Sequence, residues 1–217
     1  MKDEWYGDNR DLVKWGALLE LARRFDASCI MQVLYRRPSE WGQLEIDGER
    51  VQLPVAVLQH FRNPANISAI QAGTQIAVVT DPFENREKYL QTVLKRLKGD
   101  GGKPRIVFLD PDTGLESRKP GPAHVLESEL AAIWREMDPD DVLVLYQHQT
   151  NRNGTPWIAS KKAQFETALG LKPGGAKLVS APNIARDVAL FFVRKLGKQR
   201  SPNEGLMHVR LSEGSHL

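Results

Sequence analysis

The segment RIVFLDPDTGLESRK, Arg105 to Lys119, sets Asp110 and Asp112 on either side of a proline at the end of an apolar run. Carboxylates two positions apart can share a metal ion, or one can orient a substrate amine while the other closes the turn. The same pair is also ordinary turn chemistry, because aspartate makes Asx turns and proline ends strands. His148 closes a second apolar run, in VLVLYQHQTNRNG. There a histidine serves as a base, a metal ligand or a hydrogen-bonded structural residue. Asp81 follows a third run, in TDPFEN. An acidic residue at that point holds a ribose hydroxyl pair in nucleotide-binding folds, and elsewhere is a turn or cap residue.

These residues need a frame that brings strand ends together, and the sequence supplies one. The runs QIAVVT, RIVFL and DVLVLY are continuously apolar, as strands covered on both faces are. Helical patterns alternate with them: ENREKYLQTVLKRLKG, with Gly99 as its expected cap, then HVLESELAAIWREM and WIASKKAQFETALGL. Ahead of them, RDLVKWGALLELARRF has apolar residues at helical spacing behind a capping Asp8 or Asn9, and SCIMQVLY follows as the first strand. This alternation predicts a single α/β domain over residues 1–217, with a mostly parallel sheet of about seven strands and helices on both faces. AKLVSAP adds one strand, and VALFFVRKL with LMHVRLS reads as a C-terminal antiparallel hairpin. Residues 38–73 interrupt the alternation and read as an insertion. It holds a hairpin turning at Asp47-Gly48 and a short helix in VAVLQHFRN.

A parallel sheet presents ligands beyond the carboxyl ends of its strands. Those ends read Tyr35-Arg36-Arg37, Asp81-Pro82, Asp110-Pro111-Asp112 and Gln147-His148-Gln149. The chain contains no H-E-x-x-H, Walker A loop, G-x-S-x-G elbow or G-x-G-x-x-G fingerprint. Cys29 is the only cysteine, which excludes an internal disulfide and a thiolate metal cluster. A polar start and the lack of a long apolar run make the cytoplasm the expected compartment, with no membrane partner. The net charge is +3 with pI near 9.0, which permits RNA or DNA as a partner. Basic residues gather in YRRP, in ESRKP and in VRKLGKQR; in the last, Arg194, Lys195, Lys198 and Arg200 are candidates for tracking a phosphate backbone.

The opening YGDNRDLVKWGALLELA, taken with FLDPD, resembles the large-subunit ribosomal RNA adenine-N6 methyltransferases. Gly7, Asp8, Asp11, Leu12, Val13 and Lys14 follow that family's N-terminal motif, with Trp15 in place of its histidine. Asp110 and Pro111 match the first half of its catalytic Asp-Pro-Pro-Tyr, while Asp112 and Thr113 replace the second half. The resemblance implies a Rossmann-like, methyltransferase-type fold that uses S-adenosylmethionine on nucleic acid or a nucleotide. It would have Lys14 bind the cofactor and Asp110 hold the target amine; beside them Asp8 and Asp81 are candidates for holding the cofactor, and Asp112 and His148 for catalysis. The chain is more similar still to a group of bacterial proteins sharing a Gly-Asp-x-x-Asp-x-x-Lys-x-Gly helix, Asp-Pro-Asp-Asn-Gly-Leu-Glu and Tyr-x-His. Here those are Gly7 to Gly16, Asp110 to Glu116, and Tyr146 with His148.

Two other readings of the same residues stand beside methyl transfer. In a metal-dependent nuclease or phosphodiesterase, Asp8, Asp11, Asp110, Asp112 and Glu116 would gather around magnesium or manganese, which hard carboxylates suit. In a catalytically inactive domain of the same fold, the site would only bind a partner.

Overall fold

The computed structural model describes residues 8–37, 43–52, 64–70, 73–98, 103–149 and 156–197, with the single positions 54, 56 and 151. The first helix, α1 (Asn9–Phe25), starts where Asp8 accepts hydrogen bonds from the backbone N–H groups of Arg10 and Asp11. It ends at Asp26, which takes the left-handed conformation at φ 50°. Then come β1 (Cys29–Val33), the hairpin β2 (Gln43–Ile46) and β3 (Glu49–Gln52), a 3₁₀ turn at Pro64–Ala69, and β4 (Gln75–Val79). The second half runs α2 (Arg86–Leu97), β5 (Arg105–Leu109), β6 (Gly114–Leu115), β7 (His124–Val125), α3 (Glu127–Glu136), β8 (Val142–His148), α4 (Ile158–Ala168), β9 (Lys177–Ala181) and β10 (Ala185–Arg194).

The strands form a six-stranded sheet in the order β4-β1-β5-β8-β10-β9. The pairs β4/β1, β1/β5 and β5/β8 are parallel, and β10 is antiparallel to both β8 and β9. The protein is therefore mixed α/β with a mostly parallel central sheet, as the sequence pattern requires. Alternation along each strand splits the core in two. Ile30, Ile106, Phe108, Val142 and Val144 face α1 through Val13, Trp15, Leu18 and Leu21. Met31, Val33, Val107, Leu109, Leu143 and Leu145 face α2, α3 and α4, which contribute Val93, Leu97, Leu130, Ile133 and Phe165. Both faces are covered, and that is why β5 reads as an unbroken apolar run.

One expectation needs correcting. VALFFVR lies in β10, inside the sheet between β8 and β9 instead of at its edge, and β9 with β10 forms an antiparallel hairpin. Both edges of β10 are already taken, by β8 and β9. The LMHVRLS segment, Leu206–Ser212, expected as its hairpin partner and the seventh strand, lies outside the described residues. The VAVLQHFRN helix, apart from Ala56, and the Gly99 cap also lie outside them. The 38–73 stretch gives no strand to the central sheet among the described residues. Its hairpin turns where expected, with Asp47 at φ 51° and Gly48 at φ 86°, the positive pair that matches strand twist. No described helix is long and apolar enough to cross a membrane.

Candidate functional site

The strand order reverses between β1 and β5, because β4 lies on one side of β1 and β5 on the other. Open α/β sheets bind ligands at this point, beyond the strand ends. Asp110 sits here, one residue past β5, with its N–H bonded to the Val33 carbonyl at 2.9 Å. Its parity is that of Ile106 and Phe108, so its carboxylate turns under α1 and is fully buried. Lys14 reaches down from α1 and places Nζ 3.0 Å from Asp110 Oδ1 and 3.1 Å from Asp11 Oδ1. The ammonium also lies 4.3 Å from the centroid of the Tyr146 ring. Gln32 Nε2 donates to Asp110 Oδ2 at 2.9 Å. Gln32 Oε1 is buried with no hydrogen-bond partner among the described residues.

Burial alone would lower the Lys14 pKa. Asp110 and Asp11 outweigh it and hold the ammonium above the usual lysine value. Tyr146 is pushed the same way, chiefly by burial and against the pull of Lys14, so its hydroxyl stays protonated. The cluster is an ammonium shared by two carboxylates in a dry environment, with an amide and a phenol as neighbours. Such a group is costly to assemble and far costlier to break by removing one member.

The DPDTG loop is held from beside it. Asp112 pairs with Arg37 across the switch point. Gln147 Oε1 accepts from the Leu115 N–H at 2.9 Å, and its Nε2 donates to the carbonyls of Thr113 and His148. Gly114, at φ 120°, lets this carboxamide close against the backbone, and a Cβ there would overlap it. Gly114→Ala should therefore destabilise the fold by about 2–4 kcal/mol, summing a strained φ with displacement of a buried amide. A urea melt checks this, and a change under 0.5 kcal/mol would contradict it.

A second group lies at the same edge, less buried. His148 Nε2 is 3.0 Å from Asp187 Oδ2, and Arg10 binds the same oxygen through Nε at 3.1 Å and Nη2 at 2.6 Å. Burial works to raise the Asp187 pKa, but hydrogen bonding and charge from Arg10 prevail and lower it. Asp187 thus stays a carboxylate that fixes the imidazole, about one third exposed, at the rim of the site.

The five carboxylates of the metal reading are all engaged with protein partners. Asp8 caps α1 and pairs with Arg10, while Asp11 and Asp110 share Lys14. Asp112 holds Arg37, and Glu116 Oε1 accepts from the Glu127 N–H at the start of α3. Among the described residues no group of three or more His, Cys, Asp or Glu side chains is arranged to hold a metal. Asp81 stands apart, in an exposed ion pair with Arg96 at 2.8 Å. Arg194 pairs with Asp140, and Lys195 Nζ donates to the carbonyls of Trp134, Arg135 and Met137 at the end of α3. Lys198 and Arg200 lie outside the described residues.

These residues do not fit S-adenosylmethionine as they are arranged. Lys14 is saturated by two carboxylates, and both oxygens of Asp110 are engaged and buried. In the loop after β1, where nucleotide folds place glycines, Tyr35 is buried at φ 47° with its ring 5.2 Å from Phe83 and 5.4 Å from Tyr89. The Phe83 N–H bonds the Arg36 carbonyl at 2.8 Å, joining the loops after β1 and β4. An aromatic wedge stands where the backbone would have to approach a cofactor.

Sequence reasoning reached Lys14, Asp11, Asp110 and His148 but missed Gln32, Arg10, Gln147 and Asp187. Gln32 carried a signal, being a lone polar residue inside CIMQVLY. Asp187 carried none, since its link to Arg10 spans 177 positions. No protein-family model matches the chain, and no curated protein matches it.

Proposed function

We propose that this is a methyltransferase-like α/β protein that binds nucleic acid or a nucleotide at the carboxyl edge of its sheet and does not transfer methyl groups from S-adenosylmethionine. The fold reading is supported by β10, the last strand among the described residues, lying antiparallel between β8 and β9, which is how class I methyltransferase sheets end. It is also supported by the resemblance of the N-terminal helix. Asp8, Asp11, Lys14, Asp110, Tyr146 and His148, drawn from separate motifs, meet at one edge.

The observation that carries the non-catalytic reading is the state of Asp110. An aspartate that orients a substrate amine must reach it within hydrogen-bond distance. This one is fully buried and already bonded to Lys14 and Gln32. It works instead as the anchor that fixes α1 to the sheet. Calorimetry with S-adenosylhomocysteine is expected to give no saturable heat. Saturable binding lost in Asp81→Asn would restore the methyltransferase reading.

A further inference from the structure

Resting on that nucleic-acid reading, we propose that Arg118 and Lys119, at the tip of the loop between β6 and β7, make phosphate contacts. The loop leaves the sheet directly after DPDTG, at the edge that carries His148 and the switch point. Ser117, Arg118, Lys119 and Pro120 are all exposed. Among the described residues neither Arg118 nor Lys119 enters an ion pair, whereas Arg194 is paired with Asp140 and Lys195 is spent on the carbonyls closing α3.

The rest of the loop is built to hold that tip still. On one side Lys161 Nζ donates to the carbonyls of Leu115 at 3.2 Å and Glu116 at 2.8 Å, and Gln164 Nε2 donates to the Glu116 carbonyl at 3.1 Å. On the other side Arg86 donates to the carbonyls of Gly121 and His124, and the Gly121 N–H bonds His124 Nδ1. Glu116, the nearest acid, has its carboxylate on the N–H at the start of α3 and on that helix's positive end. The anchoring cations and the nearest anion are therefore consumed inside the loop, and two positive charges are presented outward on a fixed backbone. Preorganisation of this kind lowers the ordering cost of binding. Two exposed cations with no converging donors suit the successive phosphates of a strand, where the gain is release of condensed counterions.

The test is fluorescence anisotropy of the full chain with a short labelled oligouridylate, titrated at several salt concentrations. Wild type should bind at low salt and weaken as salt rises. Arg118→Ala with Lys119→Ala should reduce the slope of log K against log salt by about 1.4, from roughly 0.7 per lost contact on a single strand. Arg194→Gln, an exposed control, should leave the slope unchanged. If the double variant keeps the wild-type slope, the loop assignment falls and the partner reading stands. If wild type does not bind even at low salt, the nucleic-acid reading itself falls and takes the loop with it.

Discussion

Lys14→Met is expected to destabilise the protein by about 3–5 kcal/mol, the usual effect of removing one partner from a buried ion pair. The substitution keeps the length and apolar stem of the side chain, so the loss reports the charge. It leaves the buried carboxylates of Asp11 and Asp110 beneath α1 without the ammonium they share. Adding Asp110→Asn should recover part of the loss by removing one of the two unpaired charges, a coupling of about 0.5–3 kcal/mol. The sign of the pH dependence follows from the raised Lys14 pKa. A lysine raised in the folded state stabilises fully below the unfolded value, about 10.4, and loses that contribution only as pH rises through the higher folded value. The penalty should accordingly be flat between about pH 6 and pH 9. Urea denaturation of Lys14→Met, Asp110→Asn and the double variant measures all of this. A Lys14→Met protein as stable as wild type, but impaired in cofactor binding, would return Lys14 to the role its motif resemblance implies.

The opposite end of the sheet should be as sensitive, for a purely architectural reason. Arg105, the first residue of β5, is buried with Nη2 3.0 Å from Asp141 Oδ2 and Nη1 3.0 Å from the Leu97 carbonyl. Asp141 also accepts from the backbone N–H of Arg105 at 2.9 Å and of Asp138 at 3.1 Å. One carboxylate thus ties the start of β5 to the turn before β8 and neutralises a buried guanidinium. Asp141→Ala should cost about 3–5 kcal/mol, because Arg105 keeps only the half-exposed Asp138 as a counter-charge. At this chain length that is a fall in melting temperature of roughly 10 °C. Oligonucleotide binding at a temperature where the variant is folded should be unchanged, since these residues lie at the amino end of the parallel strands. A loss of binding without a loss of stability would overturn that separation.

Much of the frame was legible in the chain itself. The apolar runs Ile106–Leu109 and Val142–Tyr146, bounded by polar residues, read as strands covered on both faces, and β5 and β8 form there. Asp8 and Asn85 stand where an oxygen is needed to take up orphan N–H groups, and both cap helices. Asp47-Gly48 makes its turn because local sterics select those residues for positive φ. These outcomes rest on interactions between near neighbours, so the sequence by itself determined them.

What the tertiary structure decided is the use to which the polar residues are put. Asp110 could be read as sitting at a strand end, yet whether it faces solvent or the underside of α1 depends on which face that helix covers. Gln32 lies 78 positions from it and Asp187 lies 177 from Arg10. No local pattern encodes those pairs. The same holds for β10, whose insertion between β8 and β9 follows from strands competing for edges across the whole sheet. Burial separates the two kinds of charge: Asp110 is closed off by an ammonium and an amide, while Arg118 and Lys119 are left exposed. Near-neighbour chemistry fixes elements, but which charges become paired or exposed is set by long-range packing and by the free energy of removing them from water.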